Sequence, residues 1–294
     1  MKKYLGELGL IIVAIIWGSG FVASDLALNN MTPIQVMTFR FSIAAIIMGI
    51  IFMKKFKKIK RKTFNRGLLL GVLLFFAFTL QTVALQYTTA SKNAFLTATN
   101  VVIVPFIGLL FKKAVDKYGV CGAIIALTGA AFLTLDSEFN INKGDVLTLS
   151  CSICFAFHIF FTGEFVKKED PSLITSIEMI TAGILSIIFL IFRREYTFTF
   201  TINAIMPAIY LGIFSTTIAF FIQTLAQKYT TETKAAIILS TEAVFGSIFS
   251  IIILNEQLTF KLIIGCLLIF LAILISETKL SFLKKKSKEL IIEE

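Results

Sequence analysis

Apolar residues fall in ten uninterrupted runs along the chain, and short polar segments separate them. A helix needs about 20 mostly apolar residues to cross roughly 30 Å of hydrocarbon, and each run has about that length. The pattern therefore predicts ten membrane-spanning helices, numbered below as the first to the tenth span. The runs cover residues 5–24, 33–53, 67–86, 93–111, 118–135, 145–163, 172–192, 205–226, 235–254 and 259–276.

The composition agrees with a chain whose solvent is lipid. Of 294 residues, 57% are apolar and 16% are charged, whereas roughly 25% are charged in a typical soluble domain. One globular core could not bury so much apolar surface, because its outside must still be covered by polar groups. The same numbers exclude a disordered chain and a disulfide-rich secreted domain.

Lysine and arginine predict the orientation of the spans. If the N-terminus is cytoplasmic, the inner segments carry 22 basic residues and the outer segments carry five. This asymmetry follows the positive-inside rule. The basic run 54–62 then lies beside a span, where it is typical of an anchor on anionic lipid rather than of a nucleic-acid site. We predict a multi-pass protein of the cytoplasmic membrane with both termini in the cytoplasm.

Two stretches of the chain repeat each other. Residues 81–94 and 223–236 are identical at eight of fourteen positions, and the identities include glutamine, tyrosine and lysine. A weaker match pairs Glu7 with Asp145. The repeat unit contains five spans, and an odd number requires that the second copy enters the membrane upside down.

The repeat divides the chain into a first five-helix unit over 1–140, a second, inverted unit over 141–278 and a charged cytoplasmic tail over 279–294. Inverted repeats are typical of secondary transporters, because two related halves can open to either side in turn. The alternative is that duplication only built a stable bundle. Lys92 and Lys234, which the repeat pairs, are expected to extend to opposite membrane interfaces.

Several segments resemble one known family. The segment 17–19 (Trp-Gly-Ser) and Arg40 match its pattern in the first two spans, and the strongest similarity covers 240–245 and 254–259. With the repeat, these segments resemble the EamA family of the drug/metabolite transporter superfamily over nearly the whole chain. The resemblance implies an all-α membrane protein with ten helices in two inverted halves around a central cavity. It also implies alternating-access transport of amino acids or similar small metabolites, often outward.

The chain departs from the family pattern at two places. Glu256, after the ninth span, aligns with Ala114 in the first half, so this acidic residue is not duplicated. The family often has proline after the glutamate of the ninth span, but here Ala243 follows Glu242. Proline therefore predicts a kink only in the fourth span, which contains Pro105.

Polar side chains at membrane depth are the candidates for a substrate site. Ionisable groups there cost roughly 2.5–3.5 kcal/mol to insert, so they face the bundle interior or a wet cavity. The repeat pairs Arg40 with Glu178 and Asn100 with Glu242, which gives symmetric positions with different chemistry. The predicted substrate-binding residues are Trp17, Ser19, Arg40, Gln81, Asn100, His158, Glu178, Gln223 and Glu242.

Arg40 has two interpretations. Its forked guanidinium suits a substrate carboxylate, or it forms a buried ion pair with Glu178 or Glu242 that locks the halves together. For Gln81 and Gln223 the alternative to substrate binding is a hydrogen bond between helices. If the acidic residues outweigh Arg40, the substrate is a drug or quaternary cation instead of an amino acid.

Glu242 is the predicted coupling residue. It lies about eight residues into the ninth span, roughly 12 Å along the helix and therefore near mid-membrane. A proton and a substrate ammonium could exchange at this carboxyl group as the cavity changes sides. The chain contains no glycine followed by lysine, so it lacks the phosphate-binding loop of proteins that hydrolyse ATP.

His158 is the one histidine of the chain, and it follows Cys151 and Cys154 on one predicted helix face. Three ligands on a single helix rarely converge on one metal ion, and no fourth is evident, so no metal is predicted. The sequence also lacks the nucleophile motif and the histidine-rich metal site of an intramembrane enzyme. We therefore predict no enzymatic activity and no cofactor.

Overall fold

The protein is described by a computed structural model over residues 2–57, 59–112, 117–134, 142–198, 201–257 and 259–278. Every regular element in these ranges is helical. The helices are α1 (Lys2–Leu28), α2 (Pro33–Ile51), α3 (Met53–Phe56), α4 (Arg61–Ala84), α5 (Ala90–Ala98), α6 (Asn100–Leu110), α7 (Lys117–Thr134), α8 (Lys143–Val166), α9 (Pro171–Arg193), α10 (Ile202–Tyr210), a π-helix (Leu211–Ile218), α11 (Ala219–Gln227), α12 (Glu232–Ser240), α13 (Glu242–Leu254) and α14 (Phe260–Thr278).

The predicted all-α membrane fold is confirmed. Within the described ranges, eight helical segments are long and apolar enough to cross a membrane, and Phe260–Ala272 is a shorter apolar helix. A count of ten spans stays a prediction. The predicted boundary at 140/141 and the tail 279–294 lie outside the described residues, so the division into two units and a tail also stays a prediction.

Side-chain caps explain where several helices begin. Thr32 and Gln35 form a capping box at the start of α2, and Asp170 caps α9. Both helices have proline at the first position, where its missing N–H costs little. Thr89 and Thr231, which the repeat pairs, each cap the helix that follows.

Helices of the two predicted halves pack in corresponding pairs. Helix α2 packs on α9, and α7 packs on α14. Helix α4 packs on α8, while α1 packs on α11 and α13. Exchange of the two halves maps the first two pairs onto themselves and the α4–α8 contact onto the α11–α1 contact. The core therefore lies between the halves.

The fourth and ninth spans are both interrupted near their middle. Helix α5 gives way to α6 at Thr99, and α12 gives way to α13 at Thr241. The hydroxyl of each threonine donates to a carbonyl three residues earlier at 2.6 Å, a bond that bends helices. The proline-based expectation was therefore wrong for the ninth span, which breaks without proline. Pro105 lies inside α6 and not at the break.

The eighth span contains a π-helix at Leu211–Ile218. The Thr217 hydroxyl donates to the Gly212 carbonyl, five residues earlier, at 2.7 Å. A π-helix shifts the register of the carbonyls and often marks a functional site. Here it turns Ser215 and Thr216 toward the centre of the bundle, where both are buried.

Candidate functional site

A narrow central cavity of about 530 Å³, its open mouth included, lies between the spans. Seven of the nine predicted site residues line it: Trp17, Arg40, Gln81, Asn100, His158, Gln223 and Glu242. They come from both predicted halves. Aromatic rings from Phe21, Phe78 and Phe155 supply much of the remaining wall.

Ser19 and Glu178 are the two predicted site residues that do not line the cavity. The Ser19 hydroxyl donates to the Ile16 carbonyl at 2.8 Å and lies 2.5 Å from the Tyr210 hydroxyl. Glu178 is fully buried, and its Oε1 lies 2.6 Å from His158 Nε2. Glu178 therefore lies behind His158, which itself reaches the cavity.

Arg40 is held by hydroxyl groups and by an aromatic ring. Its Nε donates to Thr216 Oγ1 at 2.9 Å, and one terminal nitrogen donates to Ser215 Oγ at 3.4 Å. The guanidinium carbon lies 3.9 Å from the centre of the Phe78 ring, within cation–π distance. Across the described residues, Arg40 forms no ion pair with a carboxylate, so the expected pair with Glu178 or Glu242 is not present.

Three polar side chains of the cavity wall have unused hydrogen-bonding atoms. Both amide atoms of Gln223 and the Asn100 Oδ1 are buried and have no hydrogen-bond partner among the described residues. Glu242 is 6% exposed as a residue, and its carboxyl group forms no hydrogen bond or ion pair with the part of the chain described here. Buried polar atoms are nearly always satisfied in native proteins. The cavity is therefore built to receive a polar ligand or water.

The two repeat-related glutamines differ in their surroundings. Gln81 Nε2 donates to Thr97 Oγ1 on the neighbouring span at 3.2 Å, as its alternative interpretation as an interhelical partner expects. Gln223 makes no such bond to a described residue. Trp17 uses its indole N–H on the Ser215 carbonyl at 2.9 Å and packs its ring 4.9 Å from that of Phe220.

His158 faces Glu178 rather than a metal-ligand cluster. Cys151 is buried, and its sulfur lies 3.6 Å from the Thr97 hydroxyl. Among the described side chains, no group of three metal-binding residues comes together. Cys151 packs in the core beside Thr97, and the absence of a metal stays a prediction.

Several residues of the cavity wall are not among the predicted site residues. Thr97 and Leu239 both line it, and the repeat pairs them. Thr97 lies three residues before Asn100, and Leu239 lies three residues before Glu242. Residues three apart share a helix face, so the repeat positions one helical turn before Asn100 and Glu242 were the signal for them. Ser215 has no comparable signal, because the π-helix that exposes it does not show in the apolar pattern.

The expectation that Lys92 and Lys234 extend into the membrane interfaces was incomplete. Lys92 Nζ lies 2.6 Å from Asp145 Oδ2. Lys234 pairs with Glu7. Each lysine thus has an acidic partner from the other predicted half.

Comparison with known proteins agrees with this architecture. The model of the EamA-like transporter family matches residues 4–135 and again residues 142–278. An uncharacterized transporter of Archaeoglobus fulgidus is 36% identical over 94% of this chain and 86% of its own length. The uncharacterized transporter YoaV of Bacillus subtilis is 22% identical over 89% of this chain and 93% of its own length.

A solved structure supports the fold independently. One crystal structure of another protein superposes with a TM-score of 0.70 at 15% identity, covering 94% of this chain and 98% of that one. Together with the two family matches, the relatives establish a multi-pass membrane protein of transporter type. The chain belongs to the EamA-like transporter family, as its motifs indicated.

Proposed function

We propose that this protein is a secondary active transporter that exports amino acids or similar zwitterionic metabolites across the cytoplasmic membrane by alternating access. The observation that carries the proposal is the presence of Arg40 and Glu242 in one cavity without an ion pair between them. Arg40 offers donors to a carboxylate, and Glu242 offers an acceptor to an ammonium group. An amino acid carries both groups.

The rest of the cavity wall supports this substrate class. Ser215 and Thr216 hold the guanidinium of Arg40 in place, so its fork is preorganised. Gln223 and Asn100 supply further hydrogen-bonding atoms that no described residue satisfies. The aromatic walls suit an apolar side chain of the substrate.

A drug or quaternary cation is the second candidate substrate. Trp17 and Phe155 line the same cavity as Glu242, and aromatic faces beside a carboxylate are suited to bind a cation. In that case Arg40 would repel the substrate and serve only to hold the helices together. The two candidates therefore differ in what Arg40 does.

Transport into proteoliposomes tests the proposal. The proteoliposomes contain wild-type protein, Arg40→Lys or Glu242→Gln, and they are loaded with a pool of amino acids. Exchange against labelled amino acids or a labelled quaternary cation is then measured. Arg40→Lys keeps the charge but loses the bidentate fork. For an amino-acid substrate we expect both variants to weaken exchange by about tenfold or more, the loss that about 1.4 kcal/mol of binding gives.

The outcomes separate the two candidates. If Glu242→Gln loses exchange of the quaternary cation while Arg40→Lys exchanges the cation normally, the result supports the cation exporter and contradicts the amino-acid proposal. No exchange of any amino acid by the folded wild-type protein also contradicts it. Folding of each variant is checked by gel filtration and by thermal unfolding in detergent.

A further inference from the structure

One end of the bundle holds a buried ion pair between the predicted halves. Lys92 Nζ of the first half lies 2.6 Å from Asp145 Oδ2 of the second half. The Thr88 hydroxyl donates to the other oxygen of Asp145 at 2.7 Å. Asp145 is fully buried, and 22% of the Lys92 side chain is exposed. According to the predicted orientation, this is the outer end.

The other end holds the corresponding pair with the halves exchanged. Lys234 of the second half pairs with Glu7 of the first half. Here the side chains are more exposed, at 40% for Lys234 and 20% for Glu7. According to the predicted orientation, this is the cytoplasmic end.

The two ion pairs are the same contact made twice. The repeat matches Lys92 with Lys234 and Asp145 with Glu7. The backbone N–H of each lysine donates to the threonine that caps its helix, at 3.3 Å in the first half and 3.2 Å in the second. The fold thus places one acid–lysine pair at each end of the cavity.

The contacts around the two pairs differ in tightness. A Cβ atom added to Gly144, beside Asp145, would lie 2.8 Å from the Ala84 carbonyl oxygen. A Cβ atom added to Gly6, beside Glu7, would lie 3.3 Å from the corresponding carbonyl of Ala226. Glycine is needed for the closer approach at the Asp145 end. That end is therefore closed more tightly than the Glu7 end.

We propose that Lys92–Asp145 and Lys234–Glu7 are alternating gates, so that opening of the cavity at one end separates one pair while the other stays closed. Each pair joins the two halves, and a rocking movement between halves must pull one of them apart. Both ends are held by the same kind of acid–lysine pair, which limits the difference in free energy between the two open states, as a transport cycle requires. The tighter contacts at the Asp145 end make that gate the more stable of the two. This inference rests on the alternating access of the proposed function.

Sided cysteine labelling tests the gates without any substrate. The four native cysteines are replaced by alanine, and one cysteine is introduced at Thr97 or at Leu239. These repeat-related positions line the cavity on its predicted outer and cytoplasmic sides. An impermeant thiol reagent is applied to whole cells for Thr97→Cys and to inside-out vesicles for Leu239→Cys.

Asp145→Asn is expected to open the outer end. It should raise the labelling rate at position 97 and lower that at position 239, each by about fivefold or more, the lower end of typical coupling between sites. Glu7→Gln should have the opposite effect on both rates. Lys261→Met is the control, because Lys261 is an exposed lysine at the predicted outer end and has no ion pair among the described residues. It should change neither labelling rate.

Lys92→Met removes the same ion pair and keeps the test valid if Asp145→Asn folds poorly, because it should shift labelling in the same direction. Where Asp145→Asn folds, adding Lys92→Met to it should change the labelling rates no further. Unchanged rates in the acid variants, or shifts in the same direction for both, would overturn the gates. If wild-type protein transports amino acids but the rates do not shift oppositely, only the gates fail. If they shift oppositely without amino-acid transport, only the substrate proposal fails.

Discussion

At the scale of single residues, the His158–Glu178 contact stands out. Both side chains are almost completely buried, and Glu178 Oε2 has no partner among the described residues. A buried carboxylate depends strongly on the partner it does have, because removal of that partner leaves a polar group desolvated and unpaired. We therefore expect Glu178 to depend on His158 for the stability of its buried carboxyl group.

Removal of the histidine should destabilise the protein more than removal of both partners. We expect His158→Leu to lower the free energy of unfolding by about 3 kcal/mol or more. His158→Leu/Glu178→Leu should recover part of this loss, because no carboxylate then remains buried. The matched variant Glu178→Gln keeps the shape and can still hydrogen-bond His158, so it should cost only about 1 kcal/mol. Chemical unfolding in detergent measures all three, and equal losses would contradict the buried-partner argument.

Residue type and repeat position together were enough to predict most of the polar side chains that line the cavity. Arg40, Asn100 and Glu242 are polar at membrane depth, and the cost of lipid exposure leaves them only the interior. The prediction that Ser19 lines the cavity was wrong, because a serine hydroxyl in a helix can bond a carbonyl of its own helix. Its side chain does so here, and it also contacts Tyr210. A serine hydroxyl therefore predicts a position at the cavity less well than a charged group does.

At the scale of helices, the start of α9 shows how a cap and an ion pair combine. Asp170 accepts the Ser172 N–H at 2.9 Å and pairs with Lys55 at 2.8 Å. Burial alone would raise the pKa of Asp170, but the hydrogen bonds from Lys55 and Ser172 outweigh it. The pKa of Asp170 therefore lies below its ordinary value of 3.8.

Substitutions at Asp170 should separate the cap from the charge. Asp170→Asn keeps a capping oxygen and loses the charge, so it should cost a few tenths of a kcal/mol for this half-exposed pair. Asp170→Ala should cost about 1 kcal/mol more, because the cap is lost as well. Since the folded state lowers the pKa, the Asp170→Asn deficit should be full at pH 7 and shrink below about pH 4. Thermal unfolding against pH measures both, and a deficit that grows with acidity would contradict the assignment.

The helix interruptions could be predicted only in part. Proline interrupts a helix by removing a hydrogen-bond donor, and Pro105 is the one proline that predicted a kink inside a span. Thr99 and Thr241 interrupt their spans by bonding a carbonyl of the preceding turn, and threonine does this in only some helices. Their identical positions in the two halves are the signal that the repeat offered. The π-helix at Leu211–Ile218 had no signal, because its residues are as apolar as those of an ordinary span.

At the scale of the whole molecule, orientation decides which gate faces which side. Asn30 and Lys60 are both exposed. Asn30 precedes α2 and Lys60 precedes α4, so the predicted second span separates them. In a chain without native cysteines, we expect Asn30→Cys to react with an impermeant thiol reagent in whole cells and Lys60→Cys to react only after the membrane is opened. Reaction of the 54–66 loop from outside would reverse the orientation and exchange the names of the two gates. It would leave the relation between the two ion pairs unchanged.

Coupling to a proton gradient would involve the whole molecule, because the coupling carboxyl group must be accessible to protons from each side of the membrane in turn. Glu242 follows the break in the ninth span, lines the cavity and has no partner among the described residues. An unpaired buried carboxylate is costly, so it gains from binding either a proton or a substrate ammonium. Asn100 holds the matching place in the other half without a titratable group. On this difference we propose Glu242, rather than Asn100, as the coupling residue of the pair.

We therefore expect Glu242→Gln to fold but to lose accumulation driven by a pH gradient. Glutamine keeps the size and one hydrogen-bonding oxygen of the carboxyl group, but it binds no proton. Substrate exchange without a gradient should persist at a reduced rate, because Arg40 still holds the carboxylate of the substrate. Uptake by reconstituted protein is measured with and without the gradient, with Asn100→Asp as a variant that adds a carboxyl group at the matching position. Accumulation at the wild-type level by Glu242→Gln would exclude Glu242 as the coupling group.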